Sequence, residues 1–192
     1  MTVRTTARRL SIDADGIANL AQQISSPNHD ARPTGVDISL IVVHGISLPP
    51  GRFGGDGIVA LFTNRLDPTA DPFYAGIATL RVSAHFLILR DGRLQQFVAC
   101  RDRAWHAGES RWRDRTRCND FSIGIELEGT DDLPYTGRQY AMLARLVKVL
   151  RRRYPITDVA GHSDIAPGRK TDPGLLFDWG RLRRMASIPS PV

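Results

Sequence analysis

Two of the five histidines lie where a rigid element is predicted to give way to a loop. His44 ends the apolar run LIVV, and His162 stands at the start of the loop GHSDIAPGRKTDPG. Catalytic and metal-binding residues concentrate at such boundaries. Two neutral imidazoles and one carboxylate make a zinc site whose fourth position stays open for water, which is the arrangement that a hydrolase needs.

The spacing of these two histidines does not by itself identify a site, because 118 positions separate them (162 minus 44). A compact metal motif such as HExxH would place both ligands on one helix. On the residues alone, His44 is better explained as a polar residue that merely ends a strand.

The loop after His162 concentrates charged side chains, namely Asp164, Lys170 and Asp172. Prolines and glycines in the same loop stiffen or shape its path. Lys170 is one of only two lysines among the 26 basic residues. An arginine-rich chain that keeps a lysine here is compatible with the need for a compact point charge.

A carboxylate also occupies the segment FSIGIEL, residues 121–127, whose alternation predicts a strand. Side chains on a strand repeat every two residues, so Glu126 shares a face with Ser122, Gly124 and Glu128. Two carboxylates held close together raise the pKa of one of them, which suits a general base or acid. The alternative is a sheet face open to water with both glutamates solvated, and the sequence favours neither.

The remaining histidines favour structural roles. His106, in the segment AWHAG, is typical of a hydrogen-bonded structural histidine or a groove wall, and His85 is typical of packing. His29 lies in a loop with no partner nearby in the sequence. The two cysteines, Cys100 and Cys118, are too few for a disulfide framework and leave a single bridge open.

The elements that position these residues alternate between strand and helix patterns. An Asp-Gly pair between two apolar runs indicates a hairpin, and Thr136 with Gln139 forms a capping box that opens a helix. The pattern predicts an α/β fold in a single domain, with a central mixed β-sheet flanked by helices. The predicted strands cover residues 36–44, 83–89, 93–99, 121–127 and 156–159, and the predicted helices cover residues 17–24, 57–66, 136–154 and 177–185.

Composition limits the class of protein. A length of 192 residues with 42% hydrophobic and 24% charged residues fits one globular domain. No apolar run approaches the roughly 20 residues of a membrane span, and no apolar signal segment opens the chain, so a cytoplasmic location is predicted. The net charge of +6 suits nucleic acid, a membrane surface or an acidic substrate. No nucleic-acid-binding module accompanies that charge.

Six blocks of the sequence, taken together, resemble the cytosolic zinc amidases of cell-wall recycling, the AmpD-type 1,6-anhydro-N-acetylmuramyl-L-alanine amidases. These hydrolases share their fold with the peptidoglycan recognition proteins. The match runs in order from about Ser26 to about Trp179. The blocks are IVVHGISLPPGRFGG, LRVSAHFLILRDG, RAWHAG, CNDFSIGIELEGTD, YTGRQY and GHSDIAPGRKTDPG.

The resemblance implies a role for each candidate residue. His44, His162 and Asp172 match the ligands of Zn²⁺ in that family. Glu126 matches the residue that orients and deprotonates the water at the metal, and Lys170 matches the positive group that faces the developing oxyanion. The implied reaction is hydrolysis of the amide between (1,6-anhydro-)N-acetylmuramic acid and L-alanine of muropeptides, in peptidoglycan recycling.

The resemblance also implies a partner and domain limits. Arg81 and Arg117 match positions that hold anionic parts of the muropeptide, so the expected partner is this anionic substrate and neither nucleic acid nor a membrane. We expect a monomer. Residues 26–187 would form the zinc amidase domain, with an N-terminal extension at 1–25 that includes a short helix and a Pro-rich tail at 188–192.

One position departs from the family pattern. Gly45 follows His44 where the cytosolic enzymes carry asparagine, and glycine offers no side-chain amide to the muropeptide. We therefore expect the substrate to be held differently or more weakly at this point. Alternatives are a non-catalytic muropeptide sensor, a nucleic-acid-binding protein and an amidase of the intact cell wall. The Gly- and Pro-rich segment 48–76 follows the same strand and is predicted to border the groove as a mobile lid.

Overall fold

A six-stranded mixed sheet lies at the centre of the computed structural model, which describes residues 9–188. The strands of the chain are β1 (Gln22–Gln23), β2 (His29–Ala31), β3 (Leu40–Ile46), β4 (Phe86–Ile88), β5 (Leu94–Gln96), β6 (Asp102–Ala104), β7 (Arg111–Trp112), β8 (Arg115–Thr116), β9 (Ser122–Glu128) and β10 (Asp158–Gly161). The central sheet has the order β1-β5-β4-β9-β3-β10. Only β4 and β5 pair antiparallel in it, which confirms the predicted hairpin and mixed sheet.

Five α-helices surround the sheet within residues 9–188. They are α1 (Gly57–Phe62), α2 (Pro72–Ala75), α3 (Gly137–Arg153), α4 (His162–Ile165) and α5 (Trp179–Ala186). The predicted capping box opens α3, because the Thr136 hydroxyl accepts from the Gln139 amide and the Gln139 side chain accepts from the Thr136 amide. None of the described helices is long and apolar enough to cross a bilayer.

The two faces of the sheet are covered by different elements. On one face, the odd-numbered apolar residues of β3 and β9 pack against α3 and α5. On the other face, the even-numbered residues Leu40 and Val42 pack in a cluster with Ala107, Cys118 and Ile165. The predicted alternation of β9 is therefore confirmed, and the face opposite α3 is the one that carries His44 and Glu126. Cys100 and Cys118 are both buried free thiols.

The predicted helix at residues 17–24 is wrong. Ile12 pairs with Ala18 in a β-bridge, and Gln22–Gln23 form the edge strand β1 beside β5. The Gln96 side chain causes this path, because it accepts from the Ala18 amide at 2.8 Å and donates to the Gly16 carbonyl at 2.8 Å. The segment from residue 9 therefore packs onto the domain, whereas residues 1–8 and 189–192 of the predicted extension and tail lie outside the described residues.

Candidate metal and catalytic site

Two parallel strands place His44 and Glu126 side by side. His44 in β3 and Glu126 in β9 are Cα partners in the ladder, near the carboxyl ends of both strands. Because strand side chains alternate, both project from the face opposite α3. His44 is 1% exposed and Glu126 is 8% exposed, so this predicted pair is inside the protein.

Strand β10, on the other side of β3, positions His162. Strand β10 runs parallel to β3 with Gly161 opposite Val43, and His162 is the first residue of α4 directly after it. The following loop returns to the same place, because the Ser163 amide donates to the Asp172 carbonyl at 2.9 Å. The fold thereby brings together two histidines that are 118 positions apart in the sequence.

His44, His162 and Asp172 converge through one atom each. The His44 Nδ1 lies 2.9 Å from the His162 Nδ1. The Asp172 Oδ2 lies 3.0 Å from the His162 Nδ1 and 3.3 Å from the His44 Nδ1. The structure thus brings the three predicted ligands together as a group that could hold a metal ion. The Gly45 amide donates to the same Asp172 oxygen at 3.4 Å.

A chain of hydrogen bonds fixes which nitrogen of His44 carries its proton. The Ser122 hydroxyl donates to the Cys118 carbonyl at 2.6 Å, so the Ser122 oxygen is left to accept from the His106 Nε2 at 3.1 Å. The unprotonated His106 Nδ1 then accepts from the His44 Nε2 at 2.9 Å. Because a carbonyl can only accept, the whole chain has one direction. The His44 Nδ1 is therefore left with a free lone pair.

His162 has the same tautomer for a similar reason. Its Nε2 lies 3.3 Å from the Ala107 carbonyl, which can only accept, so the Nδ1 of His162 also carries a lone pair. Burial lowers the pKa of His44 to about 4, which keeps its imidazole neutral at neutral pH. Two lone pairs and one carboxylate oxygen thus face one another with no proton between them. A divalent cation that prefers nitrogen and oxygen donors fits this set.

Glu126 is a buried carboxylate whose Oε2 has no hydrogen-bond partner among residues 9–188. Burial raises its pKa well above the usual range, the Asp172 carboxylate raises it further, and the charge of Lys170 lowers it. Neither alternative for Glu126 and Glu128 is correct. Both residues are buried rather than solvated, and the Glu128 oxygens accept from the amides of Gly54 at 2.6 Å and Arg90 at 3.0 Å. The nearby like charge comes from the metal-ligand set and not from the same strand.

Lys170 lies at the rim of the cavity that contains the cluster. The cavity has a volume of about 260 Å³, and a larger surface groove of about 910 Å³ also includes Lys170 in its wall. The residue is exposed, whereas His44 and His162 are buried and Asp172 is partly buried. Part of the segment 48–76 forms the apolar wall, which confirms that it borders the groove. The apolar wall consists of Ile46, Leu48, Leu61, Phe62, Phe73, Ile77, Leu80, Val82 and Trp105.

The two predicted arginines lie outside this cavity. The Arg81 guanidinium is exposed and donates to the carbonyls of Thr79 and Leu80 at 3.2 and 3.3 Å. Arg117 has a left-handed backbone and an exposed side chain that lies 3.3 Å from the Asp120 carboxylate. Neither guanidinium contacts the ligand cluster, although the neighbours of Arg81, Leu80 and Val82, line the cavity.

Two residues near the cluster were missed or only partly understood from sequence. His106 is hydrogen-bonded and lines the cavity, as expected of a structural histidine or groove wall, but its partner is His44. Tyr135 is buried beside the Asp172 loop and donates to the Pro173 carbonyl at 3.0 Å. No local pattern signals either contact, because both partners are distant in sequence.

Comparison with known proteins identifies relatives of this chain. The family model described as N-acetylmuramoyl-L-alanine amidase matches residues 34–175, which include all the residues of the cluster. The chain is 57% identical to the 1,6-anhydro-N-acetylmuramyl-L-alanine amidase AmpD of Citrobacter freundii over 172 residues, which cover 88% of this chain and 92% of the relative.

Solved structures of amidases are also similar to this chain. A crystal structure of a selenomethionine derivative of AmpD has a TM-score of 0.89 at 56% identity, and the match covers 91% of this chain and 98% of the other. The amidase AmiD from E. coli, in complex with anhydro-N-acetylmuramic acid-L-Ala-D-gamma-Glu-L-Lys, has a TM-score of 0.59 at 30% identity. That match covers 93% of this chain and 66% of AmiD.

Proposed function

This chain belongs to the N-acetylmuramoyl-L-alanine amidase family, and we propose that it cuts muropeptides with zinc held by His44, His162 and Asp172. The bond cleaved is the amide between (1,6-anhydro-)N-acetylmuramic acid and L-alanine, and the reaction serves peptidoglycan recycling. The convergence of two imidazole lone pairs on one carboxylate oxygen carries the metal part of this proposal.

Zinc, when bound, supplies a Lewis acid that activates water and polarises the scissile carbonyl. The ligand set is buried under an apolar wall, which strengthens electrostatic interactions with the reacting amide. The hydrogen bonds to His106 and Ala107 hold both imidazoles with their Nδ1 atoms towards the carboxylate. The chain therefore presents ligands that need no reorientation.

Glu126 is placed to move the proton. Its unpartnered Oε2 accepts a proton from the attacking water, and the same carboxyl group returns that proton to the nitrogen of the departing L-alanine as the C–N bond breaks. Burial and the neighbouring Asp172 raise its pKa, so it binds the proton more firmly than a solvated glutamate would. The base and the acid of the reaction are then one residue.

Lys170 supplies positive charge at the mouth of the cavity. The tetrahedral intermediate carries negative charge on the former carbonyl oxygen, whereas the ground-state amide does not. An ammonium group at this place therefore stabilises the transition state more than the substrate. Arg81 and Arg117 lie further out on the surface, where they would contact the anionic stem peptide rather than the reacting atoms.

The test is cleavage of a purified anhydro-muropeptide by the full chain, followed by mass spectrometry before chelation, after chelation and after zinc is added back. We expect free stem peptide that disappears with the chelator and returns with zinc. Asp172→Ala should abolish both zinc binding and cleavage, and Asp114→Ala, which alters an exposed carboxylate between β7 and β8, should change neither. A wild-type protein that binds zinc but leaves the substrate intact would favour a muropeptide sensor instead.

The predicted cytoplasmic location and monomeric state form part of the same proposal. The expected location suits small muropeptides released during recycling rather than the intact wall. Cell fractionation and sedimentation at several protein concentrations test the two predictions separately.

A further inference from the structure

We infer that Tyr135 is a positioning residue for Asp172, and that a side chain at position 45 would disturb this role, because its Cβ atom would overlap the Tyr135 hydroxyl. This inference rests on the proposed metal role of Asp172.

The contact between Tyr135 and the Asp172 loop is direct. Tyr135 is 4% exposed, and its hydroxyl donates to the Pro173 carbonyl at 3.0 Å. Pro173 follows Asp172 in the chain, so this bond holds the backbone next to the carboxylate. Proline has no amide of its own to anchor that backbone. The Tyr135 hydroxyl is thus a buried tether for the third ligand.

Position 45 has no room for a side chain while that tether is in place. A Cβ atom on Gly45 would overlap the Tyr135 hydroxyl oxygen, whereas its distance to the Tyr135 Cζ would be an ordinary 3.6 Å. The backbone of Gly45 does not have a positive φ, so the exclusion is spatial and not conformational. Only the hydroxyl oxygen stands in the way.

A second glycine also leaves space for Tyr135. A Cβ atom on Gly129 would overlap the edge of the Tyr135 ring, and Gly129 follows β9 just as Gly45 lies near the end of β3. The ring therefore lies against the ends of two paired strands. The Gly45 amide also donates to the Asp172 Oδ2 at 3.4 Å, so the same glycine contacts the ligand and its tether.

Two single variants and their combination test this arrangement through zinc affinity, measured by competition with a chelator on the full chain. Tyr135→Phe removes the tether and should weaken zinc binding about tenfold, the lower end of the range for residues that orient metal ligands. Gly45→Ala must displace the hydroxyl and should weaken binding at least as much. In Tyr135→Phe protein, Gly45→Ala should change affinity less than about twofold, because the obstructing oxygen is gone.

Tyr140→Phe is the matched control. Tyr140 is another buried tyrosine, and its hydroxyl accepts from the Asp178 amide at 2.6 Å, away from the ligands. Loss of this hydroxyl should lower the melting temperature but leave zinc affinity within about twofold of wild type, because the hydrogen bond that is removed does not involve the ligand loop. Circular dichroism of every variant checks that the fold is retained.

Each contrary result has a distinct meaning. Zinc affinity in Tyr135→Phe equal to that of wild type would overturn the positioning role of Tyr135. An equal loss from Gly45→Ala in both backgrounds would overturn the spatial coupling. A wild-type protein that binds no zinc would overturn the proposed function and this inference together, whereas the first two results would leave the amidase proposal intact.

Discussion

Replacement of His106 by leucine should weaken zinc binding although His106 is not a zinc ligand. In the native chain the His106 Nδ1 accepts the proton of the His44 Nε2 at 2.9 Å, and this leaves the His44 Nδ1 free for the metal. Leucine removes the acceptor. The proton of metal-free His44 can then move to Nδ1, where the Asp172 Oδ2 accepts it at 3.3 Å.

The magnitude follows from what zinc binding must then reverse. The proton must return to the buried Nε2, which would have no acceptor, and an unsatisfied buried donor costs about 1–3 kcal/mol. Since 1.4 kcal/mol corresponds to a factor of ten, we expect affinity to fall by roughly 5- to 150-fold. The typical loss on mutation of a residue that orients a metal ligand is about 10- to 100-fold, which agrees.

Chelator competition measures the affinity, and nitrogen chemical shifts of the imidazoles report the tautomer directly. His106→Asn is the control, because its carboxamide oxygen can accept in place of Nδ1 and should retain affinity within about fivefold of wild type. Ser122→Ala, which removes the acceptor of the His106 Nε2, should have an intermediate effect. If His106→Leu bound zinc as tightly as wild type, or its His44 kept the proton on Nε2, the tautomer argument would be refuted.

Three further changes test the other residues. Glu126→Gln should lower kcat by about 10²- to 10⁴-fold, the usual contribution of a general acid–base, while zinc affinity in the chelator assay stays nearly constant; unchanged turnover would exclude it as the base. Lys170→Ala should lower kcat by about 10²- to 10³-fold with partial recovery in Lys170→Arg, and an effect on KM alone would indicate a binding role instead. Thr136→Ala removes the capping box of α3 and the hydrogen bond from the Thr136 hydroxyl to the Arg90 carbonyl at 2.8 Å. The free energy of unfolding in urea should therefore fall by about 0.5–2 kcal/mol, and an unchanged value would contradict the role of the cap.

Local patterns in the sequence were sufficient for the elements that depend on local physics. The alternation of residues 121–127 placed Glu126 opposite the apolar residues of β9, and the structure confirms this because those apolar residues face α3. The Asp-Gly turn and the Thr136 capping box were also predictable, because each requires residues only two or three positions apart. The same reasoning failed at residues 17–24, where the distant Gln96 side chain binds the backbone and overrides a helical spacing.

The cluster itself could not be predicted from spacing. The three proposed ligands meet because β10 pairs with β3 and the following loop returns to the same place, and neither contact leaves a local signature in the sequence. The resemblance to a family named the ligands, but it gave no reason for the tautomers of the histidines. Glu128 shows a second limit. Its position on the same face as Glu126 allowed either a coupled pair or a solvated one, and its burial and its bonds to two backbone amides give neither.

Glycines on β3 and β9 leave space for the two rings, His106 and Tyr135, that contact the proposed ligands His44 and the Asp172 loop. A Cβ atom on Gly124 would overlap the His106 ring, so glycine lets that ring lie against β9 and reach His44. Gly45 does the same for Tyr135, which lies in the core on the α3 side. One ring therefore supports a histidine ligand from one face of the sheet, and the other supports the carboxylate ligand from the opposite face. Because each support depends on a missing methyl group, Gly124→Ala should weaken zinc binding as His106→Leu does, and His106→Ala should relieve the overlap that Gly124→Ala creates.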